Sequence, residues 1–236
     1  MRSGKVCVEC GENTASNKLF RKFQGGAVRL LFCEHCSKVM DKYLEFDPVL
    51  VFLDVLLLKP QAFRHVLMNL QPQIHWQLCM LYLLSNAYTK WCRTNQIGDS
   101  ASHHDHTVLE LKFYWMMFLS CVELIAFFLG VFLSIKFLLS LSKSNHQVTS
   151  FRDIVRTVLL SSFGKLLFVP VVVWGGPSVQ TGLLLTRLLV FASTTVALGV
   201  TLKIPFTRAS LVVGAGCLCE VLTSQAYVMW DSKRMT

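Results

Sequence analysis

The run FYWMMFLSCVELIAFFLGVFLSI, residues 113–135, decides what kind of protein this is. A helix needs about 20 consecutive, mainly apolar residues to cross the hydrocarbon core of a bilayer, and this run supplies them with Glu123 as its only ionisable residue. Residues 157–174, 183–202 and 209–230 read the same way. Composition agrees: 53% of the chain is hydrophobic and 16% charged, and the mean hydropathy is +0.49, well above that of a water-soluble domain. The fold class is therefore mainly α, a polytopic helical membrane bundle. Residues 66–88 are a fifth candidate span, apolar chiefly over 74–87 and interrupted earlier by Asn69, Gln71, Pro72, Gln73 and His75. Residues 47–58 are too short to cross as a helix and read as an interfacial or re-entrant segment ended by Lys59-Pro60.

Ahead of the apolar runs stand Cys7-Val8-Glu9-Cys10 and Cys33-Glu34-His35-Cys36, two C-x-x-C pairs at the spacing of a structural zinc ribbon. Two thiolates three residues apart grip one ion from a single tight turn, and a second such turn completes a tetrahedron. Cys7, Cys10, Cys33 and Cys36 are thus the expected ligands of one Zn²⁺. With four thiolates the ion has no open position for water or substrate, so its role is structural. A segment of about 40 residues buries too little apolar surface to fold alone, and metal binding offsets that deficit. Gly11 follows the first pair, and residues 18–23 and 27–32 flank Gly25-Gly26 as the arms of a β-hairpin. His35 reads as an exposed loop residue. The chain divides into a zinc-ribbon domain (1–46), an interfacial or re-entrant segment (47–65) and a bundle of four or five spans (66–236).

Lysine and arginine set the expected topology. A reduced thiol site and eight basic residues among the first 47 place the ribbon in the cytosol. If 66–88 crosses, the basic turns carrying Lys136, Lys143, Arg152 and Arg156, and then Lys203 to Arg208, also fall in the cytosol. Charge bias therefore favours five crossings. The net charge of +9 does not signal nucleic-acid binding: six acidic side chains nearly balance the eight basic ones in residues 1–47, and four thiolates on one Zn²⁺ remove the rest. The excess flanks the membrane, where it serves topology and attraction to anionic headgroups.

Ionisable residues inside the spans need partners, since each costs roughly 2.5–3.5 kcal/mol at a helix centre. Glu123, Lys165, Glu220 and Arg187 allow two neutral pairs, Glu123 with Lys165 and Glu220 with Arg187. Alternatively they line a hydrated groove in which Lys165 or Arg187 meets a lipid phosphate. Arg64 and His65, following an apolar interfacial run and beside Phe63, are further candidates for lipid contact, or else a topogenic flank. Ser210-x-x-x-Gly214, with Gly216 and Cys217, is a small-residue packing face. The remaining cysteines fall mostly in apolar runs and act as small hydrophobes. His103, His104 and His106 with Asp105 read as a solvated loop.

The order Cys-x-x-Cys, Cys-x-x-Cys, Asp41-Lys42-Tyr43, Asp47-Pro48 and Lys59-Pro60-Gln61-Ala62-Phe63-Arg64-His65, with Ser161-Ser162-Phe163-Gly164-Lys165 downstream, resembles the Arv family of endoplasmic-reticulum membrane proteins. Phe63 stands where members often carry tyrosine. The resemblance implies sterol trafficking and homeostasis from the endoplasmic reticulum, sphingolipid balance and support of glycosylphosphatidylinositol (GPI) anchor synthesis. It also implies membrane lipids (sterol, phospholipid or GPI precursor) and lipid-synthesis proteins as partners, and no enzymatic activity. A lipid-modifying enzyme of acyltransferase type, with His65, His75 or Glu123 as acid or base, is the alternative. A RING-type ubiquitin ligase would need eight zinc ligands, and only one set of four is present.

Overall fold

The computed structural model describes residues 5–13, 18–22, 28–70, 76–97, 106–141, 150–174 and 176–235. A small β ribbon sits at one end of a helical bundle. Its strands β1 (Phe20–Lys22) and β2 (Val28–Leu30) pair antiparallel, Phe20 opposite Leu30 and Lys22 opposite Val28. The ribbon's own core is Cys7, Leu19, Cys33 and Met40, so the thiols are also its main buried groups.

Asp47 begins the helical part. Its carboxylate accepts the Val49 N–H at 2.9 Å and Pro48 takes the first helical position, both favourable at a helix start. The resulting α1 (Pro48–Leu56) ends at Leu57 and at Leu58, whose φ of 58° turns the chain sharply into α2 (Pro60–Arg64). A π-helical turn, His65–Leu70, continues α2 without a break, so helix runs straight through residues 65 and 66. Val49, Leu50, Leu53 and Leu57 are exposed, as suits a helix lying at the membrane surface.

The bundle comprises α3 (Trp76–Ile97), α4 (His106–Leu141), α5 (Phe151–Ser161), α6 (Phe168–Trp174), α7 (Val179–Leu202) and α8 (Phe206–Met235). Among the described residues four segments are long and apolar enough to cross a membrane: Glu110–Leu138, Phe151–Trp174, Val179–Leu202 and Phe206–Met229. Although α3 is not among them, it packs lengthwise along α4: Cys79 lies with Cys121 and Phe128, and Trp91 meets the Phe113 ring edge-on at 6.4 Å. It runs antiparallel to α4, away from the ribbon end.

The span Phe151–Trp174 is broken. Residues Ser162–Leu167 form a tighter 3-10 turn between α5 and α6. Pro170 explains this, because it has no N–H for the Leu166 carbonyl and its ring crowds that carbonyl. Two hydroxyl pairs tie α5 to α7, Thr157 to Thr201 at 2.9 Å and Ser161 to Thr194 at 3.2 Å. The largest apolar cluster joins Phe127, Val131 and Ile135 of α4 to Ile154, Leu198 and Val212, bringing the ends of α4 and α7 beside the starts of α5 and α8.

The close approach of α4 and α8 is made at Gly130 and Gly216. A Cβ on Gly130 would lie 3.0 Å from the Gly216 Cα, and one on Gly216 would lie 2.7 Å from Val131. The expected Ser210-x-x-x-Gly214 face is corrected here: a Cβ on Gly214 would meet nothing within 4 Å. Two residues of register, about 200° around a helix, separate Gly214 from Gly216.

Candidate metal centre and the ribbon–bundle junction

The two knuckles share one backbone pattern. In the first, the Gly11 N–H donates to the Cys7 carbonyl at 2.9 Å and the Cys7 N–H to Glu12 at 2.9 Å; in the second, Ser37 donates to Cys33 and Cys33 to Lys38, each at 2.8 Å. Each turn closes on a left-handed residue, Gly11 at φ 80° and Ser37 at φ 57°. Glycine is needed at position 11 for a second reason, since a Cβ there would sit 3.3 Å from Arg64 Nε.

All four sulfurs lie within 4.8 Å of one another, and the Cys7–Cys36 and Cys10–Cys33 separations are 3.7 Å. A tetrahedron with Zn–S bonds of about 2.3 Å has edges of about 3.8 Å, so the donor set fits a zinc ion by spacing and by chemistry. Burial pushes the Cys7 thiol up to about 12, whereas the Cys36 backbone N–H brings Cys33 down to about 7. A bound ion would displace these protons. His35 is exposed and outside the set.

Beneath the knuckles lies a polar junction that fixes the ribbon to the bundle. Arg64 Nη1 donates to the carbonyls of Val8 and Glu9, each at 2.8 Å, gripping the first knuckle from the end of α2. The π-helical turn puts His65 and Asn69 on one face. Asn69 treats Val6 as a strand would: its Oδ1 accepts the Val6 N–H at 2.9 Å and its Nδ2 donates to the Val6 carbonyl at 3.0 Å. The same Nδ2 donates to Asp41 Oδ2 at 2.6 Å, and that oxygen is also 2.8 Å from His65 Nδ1. Asp41 is fully buried, and its other oxygen accepts the Tyr43 N–H at 3.1 Å. Outside this core, Lys42 lies 3.0 Å from Glu9 and holds that carboxyl below its ordinary range.

Arg64 and His65 therefore direct polar atoms into the protein. The intramembrane charges are brought together in pairs that differ from those expected. Glu123 pairs with Lys90 of α3, and Glu220 of α8 pairs with Lys165 at 3.2 Å. The Lys165 ammonium also donates to the Tyr82 hydroxyl at 2.6 Å. Arg187 is exposed on α7, with no charge partner among the described residues, and does not meet Glu220. The reason is geometric: the 3-10 turn swings Lys165 toward α3 and α8, leaving Glu123 to α3. Lys90 lies in a stretch whose low hydropathy concealed that it packs inside the bundle. Asn69, Tyr82 and Ser162 were likewise not singled out as site residues, although His65 and Asn69 at i, i+4 form a readable pattern. The histidines at 103 and 104 lie outside the described residues.

A cavity of about 310 Å³ opens between α1, α3 and the broken span. Val51 and Val55 of α1 roof it, Leu81 and Leu160 form its walls, and Phe52 and Phe163 meet edge-on at 5.9 Å at its margin. Among the described residues no charged side chain lines it, and the polar lining comes from Tyr82 and Ser162.

Comparison with known proteins agrees with the motif order. The profile of the Arv1-like family matches residues 6–198. Human Protein ARV1 is 34% identical over 229 residues, covering 95% of this chain and 83% of the human protein. The Dictyostelium discoideum arv1 homolog is 28% identical over 245 residues, 98% of each chain, and Arabidopsis thaliana Protein ARV 2 is 29% identical over 84% of each. No solved structure matches. With a family profile covering most of its length and relatives aligned nearly end to end, the chain belongs to the Arv1-like family.

Proposed function

We propose that this chain is a non-enzymatic, multi-pass protein of the endoplasmic-reticulum membrane acting in sterol and lipid homeostasis, including intracellular sterol transport. Support of sphingolipid balance and GPI-anchor synthesis follows from the same family relationship. The ribbon, holding one structural Zn²⁺, faces the cytosol, the side on which the basic turns also lie.

The observation that carries the lipid reading is the cavity under α1. Its walls are apolar, its roof helix exposes leucines to the bilayer, and Tyr82 and Ser162 bring hydroxyl groups to its lining among the described residues. A ligand with an uncharged polar group beside a hydrocarbon body suits such a site. A charged headgroup would find no charged side chain among the described lining residues. Catalysis has less support: His65 is buried against Asp41 and Glu123 against Lys90, and neither lines this cavity, while His75 lies outside the described residues.

Photolabelling of the full chain in liposomes tests the proposal, with a photoactivatable sterol and a photoactivatable diacylphospholipid as probes. Sterol label should concentrate on peptides from α1, α3 and α5, and Leu81→Trp, which fills the cavity, should remove most of it. Labelling spread over α8, or unaffected by Leu81→Trp, would overturn the assignment. Chemical conversion of either lipid would favour the enzyme alternative.

A further inference from the structure

We infer that metal occupancy of the ribbon sets the position of α1 and so governs opening of the cavity beneath it. This regulation rests on the lipid reading of the cavity given above. Val51 is the one buried residue of α1, and it packs with Val8, Tyr43 and Ala62. Val51 also lines the cavity. The same side chain therefore has the ribbon on one side and the ligand space on the other.

Val8 lies between Cys7 and Cys10 in the first metal-binding turn, and it is completely buried. Its N–H donates to the Met40 carbonyl at 2.9 Å and its own carbonyl accepts from Arg64. A second strut runs from Tyr43, whose hydroxyl donates to Asp54 of α1 at 2.9 Å. On the far side α1 is joined to α2 through Leu58, a non-glycine residue in the left-handed region, where a small change in φ and ψ would swing the helix. A roof with one buried anchor and a strained joint depends on whatever holds the anchor.

Without the metal, the Cys7–Cys10 turn has no ion to fix it, and Val8 is free to leave Val51. α1 then loses its main apolar contact and the cavity opens to bilayer and water. Coupling of this kind is reciprocal: a ligand that favours the closed roof must tighten metal binding by the same factor.

The test uses the full chain in nanodiscs, with Val8→Ala and Tyr43→Phe, which leave all four cysteines in place. Metal content, hydrogen exchange of the α1 amides and release of a preloaded fluorescent sterol are measured on each. Val8→Ala should keep one metal ion per chain while α1 protection falls and sterol release speeds up by roughly tenfold, the effect of deleting two buried methyl groups. Chelation of the wild type should do the same, and Tyr43→Phe should give a smaller change in the same direction. If α1 protection in both the chelated protein and Val8→Ala stays within twofold of the metal-loaded wild type, the coupling is wrong. Should the wild type retain no sterol while α1 still loosens on chelation, the ligand assignment fails and the coupling stands.

Discussion

Replacing Asn69 by leucine should undock the ribbon without removing its metal. The substitution deletes both hydrogen bonds to Val6 and the 2.6 Å bond to Asp41, leaving a backbone N–H and a carbonyl buried without partners and the Asp41 carboxylate with one donor fewer. Each unsatisfied group costs about 1–3 kcal/mol, and water entering the opened junction recovers some of it, so the net loss should be about 3–5 kcal/mol. Leucine keeps the branching of asparagine but is bulkier, so some overpacking adds to the loss. Hydrogen exchange at the Val6 amide and limited proteolysis near residues 44–47 both read the docked state in the full chain. The isosteric Asn69→Asp change sharpens the test: it keeps the shape but sets a carboxylate against Asp41, and like charges at that separation should undock the ribbon as well. A loss below about 0.5 kcal/mol for both variants, a range typical of surface changes, would refute the assignment of Asn69 as the ribbon's anchor.

Three other outcomes follow from the same geometry. Lys165→Met should leave Glu220 and the Tyr82 hydroxyl uncompensated and destabilise the bundle by about 3–5 kcal/mol, whereas Lys165→Met with Glu220→Gln should recover much of it; additive losses in thermal unfolding would contradict the pairing. Gly130→Leu should force α4 from α8, because the Gly216 backbone stands in the way behind the Cys219 sulfur, and lower stability by about 1–3 kcal/mol or more, while Gly214→Leu should be nearly neutral; equal effects would return the contact to the Ser210–Gly214 face. Asp54 is held below its ordinary value of 3.8 by Lys59 and then by the Tyr43 hydroxyl. Its stabilisation of α1 is therefore complete above that value and lost as pH falls through the lowered one, and α1 exchange, corrected for intrinsic rates, should rise below about pH 4 in wild type but not in Asp54→Asn.

Much of this architecture is legible in the residues themselves. The C-x-x-C pairs announce the ribbon because thiolate spacing is a local geometric demand, and the apolar runs announce the spans because bilayer thickness sets their length. What pairs with what is not local. Lys90 sits among Asn86, Thr89 and Asn95, so hydropathy alone does not place it inside the bundle beside Glu123. The mismatch between expected and observed charge pairs turns on Pro170, which tightens the preceding turn and redirects Lys165. Arg64 and His65 have the right chemistry for a headgroup, yet the fold brings the first cysteine knuckle over them, and its backbone carbonyls accept Arg64 first. Asn69, read along the chain, is a polar interruption of an apolar segment; in three dimensions it completes a strand edge.

The central claim is that a four-thiolate zinc site builds the cap seated on this bundle. X-ray absorption at the zinc edge on the purified full chain tests it most directly. The account predicts one zinc per chain in a first shell of four sulfurs at about 2.3 Å, with no nitrogen contribution. A chain that binds no zinc, or binds it through histidine or in less than stoichiometric amount while the ribbon stays folded, would contradict it.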